Sequence, residues 1–155
     1  MKRSHIAKSL LTAAALSTLI VPIGVDAILL ANGHMNNPAW LPHAKLHCAM
    51  SFFAAASLGI AALAILKIRP ASDRFSMGLA AFLGCAFWIG LIASGFFPGT
   101  SYGFLNDPVL GNIREPKLAG ITIYPNVVIG TIAIAISAIG YGLISEVKML
   151  ERLNK

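Results

Sequence analysis

The sequence predicts an all-α fold, a polytopic membrane bundle of four transmembrane helices with both termini cytoplasmic. Three observations lead there. The 155-residue chain is 57% hydrophobic and 12% charged, with mean hydropathy +0.76. A soluble domain carries about 25% charge, and a chain this short and apolar lacks the polar surface to cover a water-soluble core. Four apolar stretches are long enough for the ~20 residues a helix needs to cross the hydrocarbon. The basic residues are segregated along the chain. Together these exclude a soluble enzyme domain, a disordered tail and a disulfide scaffold, and describe one membrane domain over 1–155.

The first span covers about 9–31 and is interrupted only by Asp26. Lys2, Arg3 and Lys8 ahead of it imitate the basic region of a signal peptide. The apolar run is longer than a leader's, however, and no clean A-x-A site follows, so an uncleaved helix is expected. The second span, about 46–66, lies between Lys45 and Lys67, the third covers about 75–97 and the fourth about 121–144. None alternates with period two, which excludes a membrane β-barrel.

The net charge of +6 comes from 12 Lys and Arg against 6 Asp and Glu. Lys2, Arg3 and Lys8 precede span one, Lys67, Arg69 and Arg74 fill the short loop after span two, and Lys148, Arg152 and Lys155 follow span four. Positive residues stay on the cytoplasmic side, so loops 32–45 and 97–120 are expected outside, in a plasma or bacterial inner membrane. Topology and contact with anionic lipid account for the basic excess. No basic patch with interleaved aromatics remains for nucleic acid.

Membrane helices approach closely through small residues. Ala55 and Gly59, Ala86 and Gly90, and Ala138 and Gly142 each have i,i+4 spacing. Pro22 and Pro125 are positioned to kink or cap their helices. Cys48 and Cys85 differ in depth by roughly 15 Å at 1.5 Å rise per residue. A disulfide needs Cα atoms within about 7 Å, so none is expected between them.

Functional side chains concentrate in the outer half. Asp26 sits about six residues before the end of span one, roughly 9 Å down at helical rise. A carboxylate at that depth costs a few kcal/mol and needs a partner. His47, near the start of span two, is the expected partner, either as a functional pair or as a clamp between the two spans. His43 and His47 share a helix face at i,i+4. With Asp26 they form a candidate catalytic set for proton transfer, since histidine titrates near neutrality. His34, His43 and His47 are also a candidate transition-metal set, although the Glu of H-E-x-x-H is absent. The plain alternative is a pair of interfacial histidines meeting water. His34, Asn37, Trp40, Lys45, Trp88 and Glu115 are the expected ligand-binding residues. Trp40 otherwise reads as an interface anchor, Trp88 as packing, and Glu115 as a surface ion-pair member beside Arg114 and Lys117. Loop 97–120 exceeds ordinary connector length. It carries Tyr102, Asn106, Asp107 and Asn112 and reads as a lid, with Asp107 or Glu115 reaching the histidines.

The run His34-x-x-Asn37-Pro38-x-Trp40-x-Pro42-His43-Ala44-Lys45-x-His47 resembles a motif of the DUF6640-type family of small four-span membrane proteins of unknown function. That family shows N-P-x-W-P-P-H-A-K-F-H after an Asp-containing first helix. Leu41 replaces the first proline of its P-P pair and Leu46 its phenylalanine. The resemblance is close over about 14 residues and loose over the rest. It implies a four-span architecture and no established activity. The architecture is more weakly similar to EXPERA-type proteins, which place an acidic residue, a histidine and aromatics in an intramembrane pocket, but their motif is absent. The favoured function is binding or chemical transformation of a small lipophilic molecule at an outward-facing polar site. The alternatives are a non-catalytic subunit docking a partner through its outer loops, and a metal or small-solute carrier; the lipid bilayer, a lipophilic small molecule and a further copy of the chain in a homo-oligomer are the candidate partners. No cofactor is implied.

Overall fold

A computed structural model of the chain describes residues 2–104, 107–111 and 114–153, with side chains described from Arg3 to Ile144. Asn106, Asn112 and Lys155 lie outside the described residues, as do the side chains of Lys2, Lys148 and Arg152. Helix α1 spans Lys2–Ile23 and runs into a π turn, Gly24–Leu29, and a short 3-10 turn, Ala31–Gly33. Helices α2, α3 and α4 span Pro42–Ile68, Arg74–Ser94 and Pro125–Leu153. Between α3 and α4 lies a two-stranded antiparallel hairpin, β1 (Lys117–Leu118) and β2 (Ile121–Thr122). Four segments are long and apolar enough to cross a membrane: Arg3–Leu29, Pro42–Ile68, Arg74–Ser94 and Pro125–Ile144.

Local chemistry sets the helix ends. Leu41 is extended and Pro42 occupies the first turn of α2, where its missing N–H costs nothing. α2 stops at Ile68, and Arg69 is extended ahead of Pro70, which disfavours helical geometry in the residue before it. Asp73 caps α3, accepting from the Ser76 amide at 3.1 Å and the Ser76 hydroxyl at 2.7 Å. Two boundaries differ from expectation. The fourth helix starts at Pro125 rather than 121, because 121–122 pair as β2. The third ends at Ser94, leaving Phe96 and Phe97 in the following turn and exposed.

Helices α1 and α3 each pack against all three others. A glycine from each neighbour meets α1. A Cβ at Gly59 of α2 would press on Ala15 and Leu19, one at Gly84 of α3 on Ala14 and Ala15, and one at Gly140 of α4 on Ala7 and Leu11. The expected Ala55–Gly59 pair is therefore a packing pair, with both residues buried. The other two pairs are not. Gly90 and Gly142 are exposed with no neighbouring atom within 4 Å of an added Cβ. In α3 and α4 the contact passes instead to Gly84 and Gly140. Many of the buried side chains are small, as at Ala7, Ala14, Ala15, Ala55, Ala62 and Ala80, while large ones such as Phe53, Ile60, Phe82 and Ile132 point outward. Such a distribution is inside-out for a water-soluble bundle and suits helices that face lipid.

Lys8 donates to the Arg69 carbonyl at 2.8 Å. This bond ties the start of α1 to the α2–α3 connection, near the end of α4 where Gly140 meets Ala7. The π turn, the start of α2, the hairpin and the start of α4 therefore gather at the opposite end. Cys48 and Cys85 are both free.

Candidate functional site

Pro22 lacks the N–H that an α-helix would direct at Thr18, and the helix relaxes just beyond it into the π turn. The Leu30 amide donates to the Val25 carbonyl at 2.7 Å, five residues back. Single π turns inside helices are rare and recur at functional sites. Asp26 lies on this turn. The chain then reverses through the 3-10 turn, with the Asn36 amide bonded to Ala31 O at 2.7 Å and the Asn37 amide to His34 O at 3.0 Å.

This reversal returns His34 to Asp26, with Nε2 3.6 Å from Oδ1. Asp26 thus meets His34 and not His47. His34 Nδ1 lies 3.0 Å from the Leu30 carbonyl oxygen. A carbonyl only accepts, so Nδ1 carries a proton and Nε2 is the ring atom that faces the carboxylate. Trp40 and Phe104 hold the imidazole edge-on, with ring centroids at 5.6 and 5.5 Å.

Asn37 stands behind this pair and is fully buried. Its amide nitrogen donates to Gly33 O at 3.2 Å and to Asp107 Oδ2 at 3.1 Å, and its oxygen accepts from the Ala39 amide at 2.9 Å. Asn37 is therefore a buried strut joining the two connecting loops. Asp107 Oδ1 accepts from the amides of Leu110 at 2.7 Å and Val109 at 2.8 Å. The Leu110 and Val109 N–H groups, with Asn37 adding, hold the Asp107 carboxyl below the usual carboxylate range. Its side-chain partner is Asn37 rather than a histidine.

These groups border a cavity of about 770 Å³, bounded by the end of α1, α3, the start of α4 and both loops. Its apolar walls include Val21, Val25, Phe87 and Leu91. Trp88, 2% exposed, forms part of it, and its indole N–H donates to Ser17 Oγ at 3.2 Å. Asp26, His34, Arg114, Glu115 and Asn126 supply polar atoms. Residues 101–104 and 114–116 cover it. Tyr102 donates to the Ile92 carbonyl, and Asn126 donates to the Tyr102 carbonyl at 3.0 Å, so this roof is bonded to α3 and α4. Glu115 passes over Gly103, where a Cβ would fall 2.6 Å from its Oε1.

Of the expected residues, Asp26, His34, Trp40, Trp88 and Glu115 border the cavity, and Asn37 supports it from behind. His43, His47 and Lys45 do not border it. His43 and His47 are exposed and pair with each other, Nε2 to Nε2 at 3.0 Å. His34 is thus separate from the other two. Among the described residues no group of three or more His, Cys, Asp or Glu is arranged to hold a metal. The reason is azimuth. At 100° per residue His47 and His43 lie roughly 120° and 160° around α2 from Gly59, the residue pressed on α1.

Asn126 and Phe104 also line the cavity without having been singled out. Asn126, a lone amide beside Pro125 at the mouth of an apolar span, was the stronger signal of the two. In size and apolar character the cavity suits a small molecule, and its carboxylate–imidazole pair can exchange a proton with one. No family model, curated protein or solved structure matches this chain.

Proposed function

We propose that this chain is an integral membrane protein, with both termini cytoplasmic, whose outward-facing cavity binds or chemically transforms a small lipophilic molecule. The observation that carries the reading is an apolar cavity of about 770 Å³ with Asp26 and His34 on one wall. The segregation in the sequence of nine of the twelve Lys and Arg residues to the two terminal segments and the 67–74 loop supports the orientation. Resemblance to the DUF6640 type is carried mainly by the run His34–His47, of which His34 and Trp40 border this cavity and Asn37 braces it.

Asp26 and His34 are the acid–base pair of this proposal, replacing the set that included His43 and His47. With Nδ1–H committed to Leu30, a proton taken from the ligand goes to Nε2 or to the Asp26 carboxylate and can be returned from there. Trp88, Phe87 and Trp40 hold the apolar body, while Asn126 and Glu115 meet its polar end. Three carboxyl groups (Asp26, Asp107, Glu115) border the cavity against one guanidinium, that of Arg114. That balance favours a neutral or cationic head group over an anionic one.

Mass spectrometry of lipophilic molecules co-purifying with wild type and with Asp26→Ala tests the reading. A species enriched in wild type and depleted in the variant supports it, and identical lipid profiles count against it. Dodecanol, dodecyltrimethylammonium and dodecanoate, titrated against tryptophan fluorescence, test the head-group preference. Dodecanoate should bind most weakly of the three, and tightest binding of dodecanoate overturns the charge argument.

A further inference from the structure

The hairpin between the roof of the cavity and α4 is built unlike a hairpin meant for water. Leu118 and Ile121 are directly opposed partners, as are Lys117 and Thr122. Opposed residues project from the same face of a two-stranded ribbon and neighbours from opposite faces. Leu118 and Ile121 therefore form one apolar face, and Lys117 and Thr122 the other. Leu118 is 70% and Ile121 68% exposed, so among the described residues none covers that face. The connecting residues are Ala119 and Gly120, with φ of 49° and 82°. Two positive φ values define the turn that aqueous hairpins make with Asn-Gly or Asp-Gly. Here a polar residue is absent from the whole stretch 118–121, and Ala119 accepts a left-handed backbone that an L side chain rarely adopts.

The position of the ribbon says what covers it. The Ile123 amide bonds the Pro116 carbonyl at 2.8 Å, closing the ribbon two residues before Pro125 opens α4. The ribbon thus adjoins the first residue of a candidate span, a position that in a bilayer falls where hydrocarbon gives way to head groups, and Lys117 lies on the face opposite Leu118 and Ile121, where anionic phosphates complement it.

We propose that the Lys117–Thr122 hairpin is a membrane anchor, with Leu118 and Ile121 inserted among the lipids at the head-group boundary. Such an anchor fixes the adjoining roof residues 114–116 against the bilayer. The proposal rests on the membrane reading above but not on any ligand.

Nitroxide labels on the full chain, in vesicles of phosphatidylcholine with a minority of phosphatidylglycerol, test it. Single cysteines replace Leu118, Ile121 or Lys117 in a Cys48→Ala, Cys85→Ala background, with Ile132→Cys as the reference for an outward face of α4. The labels at 118 and 121 should be accessible to oxygen and shielded severalfold, relative to 117, from a water-soluble nickel chelate. Equal chelate access at all three hairpin sites with 132 shielded overturns the anchor alone. Chelate access at 132 as well overturns the membrane reading and the anchor together. Exclusion of both reagents at 118 and 121 identifies a protein cover, such as a second copy, and also overturns the anchor. If the cysteine-free background fails to fold, Leu118→Trp in the native background answers the same question. Its added fluorescence should be quenched by lipids brominated near the head group, and absence of quenching refutes insertion.

Discussion

Replacing Gly59 by alanine adds one methyl group at the closest approach of α1 and α2. That carbon would lie 2.8 Å from Leu19 Cβ, and 2.9 Å from both the Ala15 carbonyl oxygen and the Leu19 amide nitrogen. Carbon contacts settle near 3.5–4.0 Å, so the helices must part by roughly 1 Å. Two of the three atoms are backbone and cannot rotate away. Overpacking of this kind costs about 1–3 kcal/mol. Gly142→Ala is the matched control. It is the same chemical change on an exposed helix face with nothing within 4 Å, where alanine improves helix propensity by up to about 1 kcal/mol. Thermal unfolding of both variants in one detergent, followed by circular dichroism, should give a lower midpoint for Gly59→Ala and an unchanged or higher one for Gly142→Ala. Equal midpoints, or the reverse order, would refute the close approach of α1 and α2 at Gly59. Because α1 leads into the π turn that carries Asp26, Gly59→Ala should also weaken probe binding in the cavity.

Other consequences follow from single contacts. Asp26→Ala should weaken binding of dodecyltrimethylammonium about tenfold, equivalent to about 1.4 kcal/mol, while His47→Ala, away from the cavity, leaves it unchanged; fluorescence titration of both reads the difference. The buried Thr18 hydroxyl donates to Gly84 O at 2.6 Å, so Thr18→Val should cost about 0.5–1.5 kcal/mol in the same thermal assay. The depressed Asp107 pKa contributes stability that is fully present above the ordinary carboxylate range of about 3.9, and that stability is lost as pH falls through the lower folded value. Hydrogen-exchange protection of the Val109 and Leu110 amides, corrected for intrinsic rates, should therefore hold from neutrality to about pH 4 and decline below it, and Asp107→Ala should abolish the transition. Cys48 and Cys85 are free and lie on different helices, so the unfolded protein should migrate identically in gels with and without reductant.

The four spans were legible from sequence because hydropathy is a local sum. Twenty apolar residues bounded by Lys45 and Lys67, or by Arg74 and the Pro98 turn, need no knowledge of their neighbours. The concentration of polar side chains in loops 32–45 and 97–120 was legible for the same reason, and so was the need of Asp26 for a partner. Which partner it takes depends on rotation about each helix axis, and helices that are apolar all round carry no amphipathic stripe from which to read rotation. Gly59 turns His43 and His47 of α2 outward, and the π turn after Pro22 lets the chain fold His34 back on Asp26. The strut from Asn37 to Asp107 joins residues 70 apart in sequence, a closure no local pattern reports. The hairpin escaped notice because each strand has only two residues, too few to show alternation. Composition and order of residues thus determined how many helices form and which end holds the chemistry. Only tertiary packing, set by where the glycines let backbones approach, decided which side chains share a cavity.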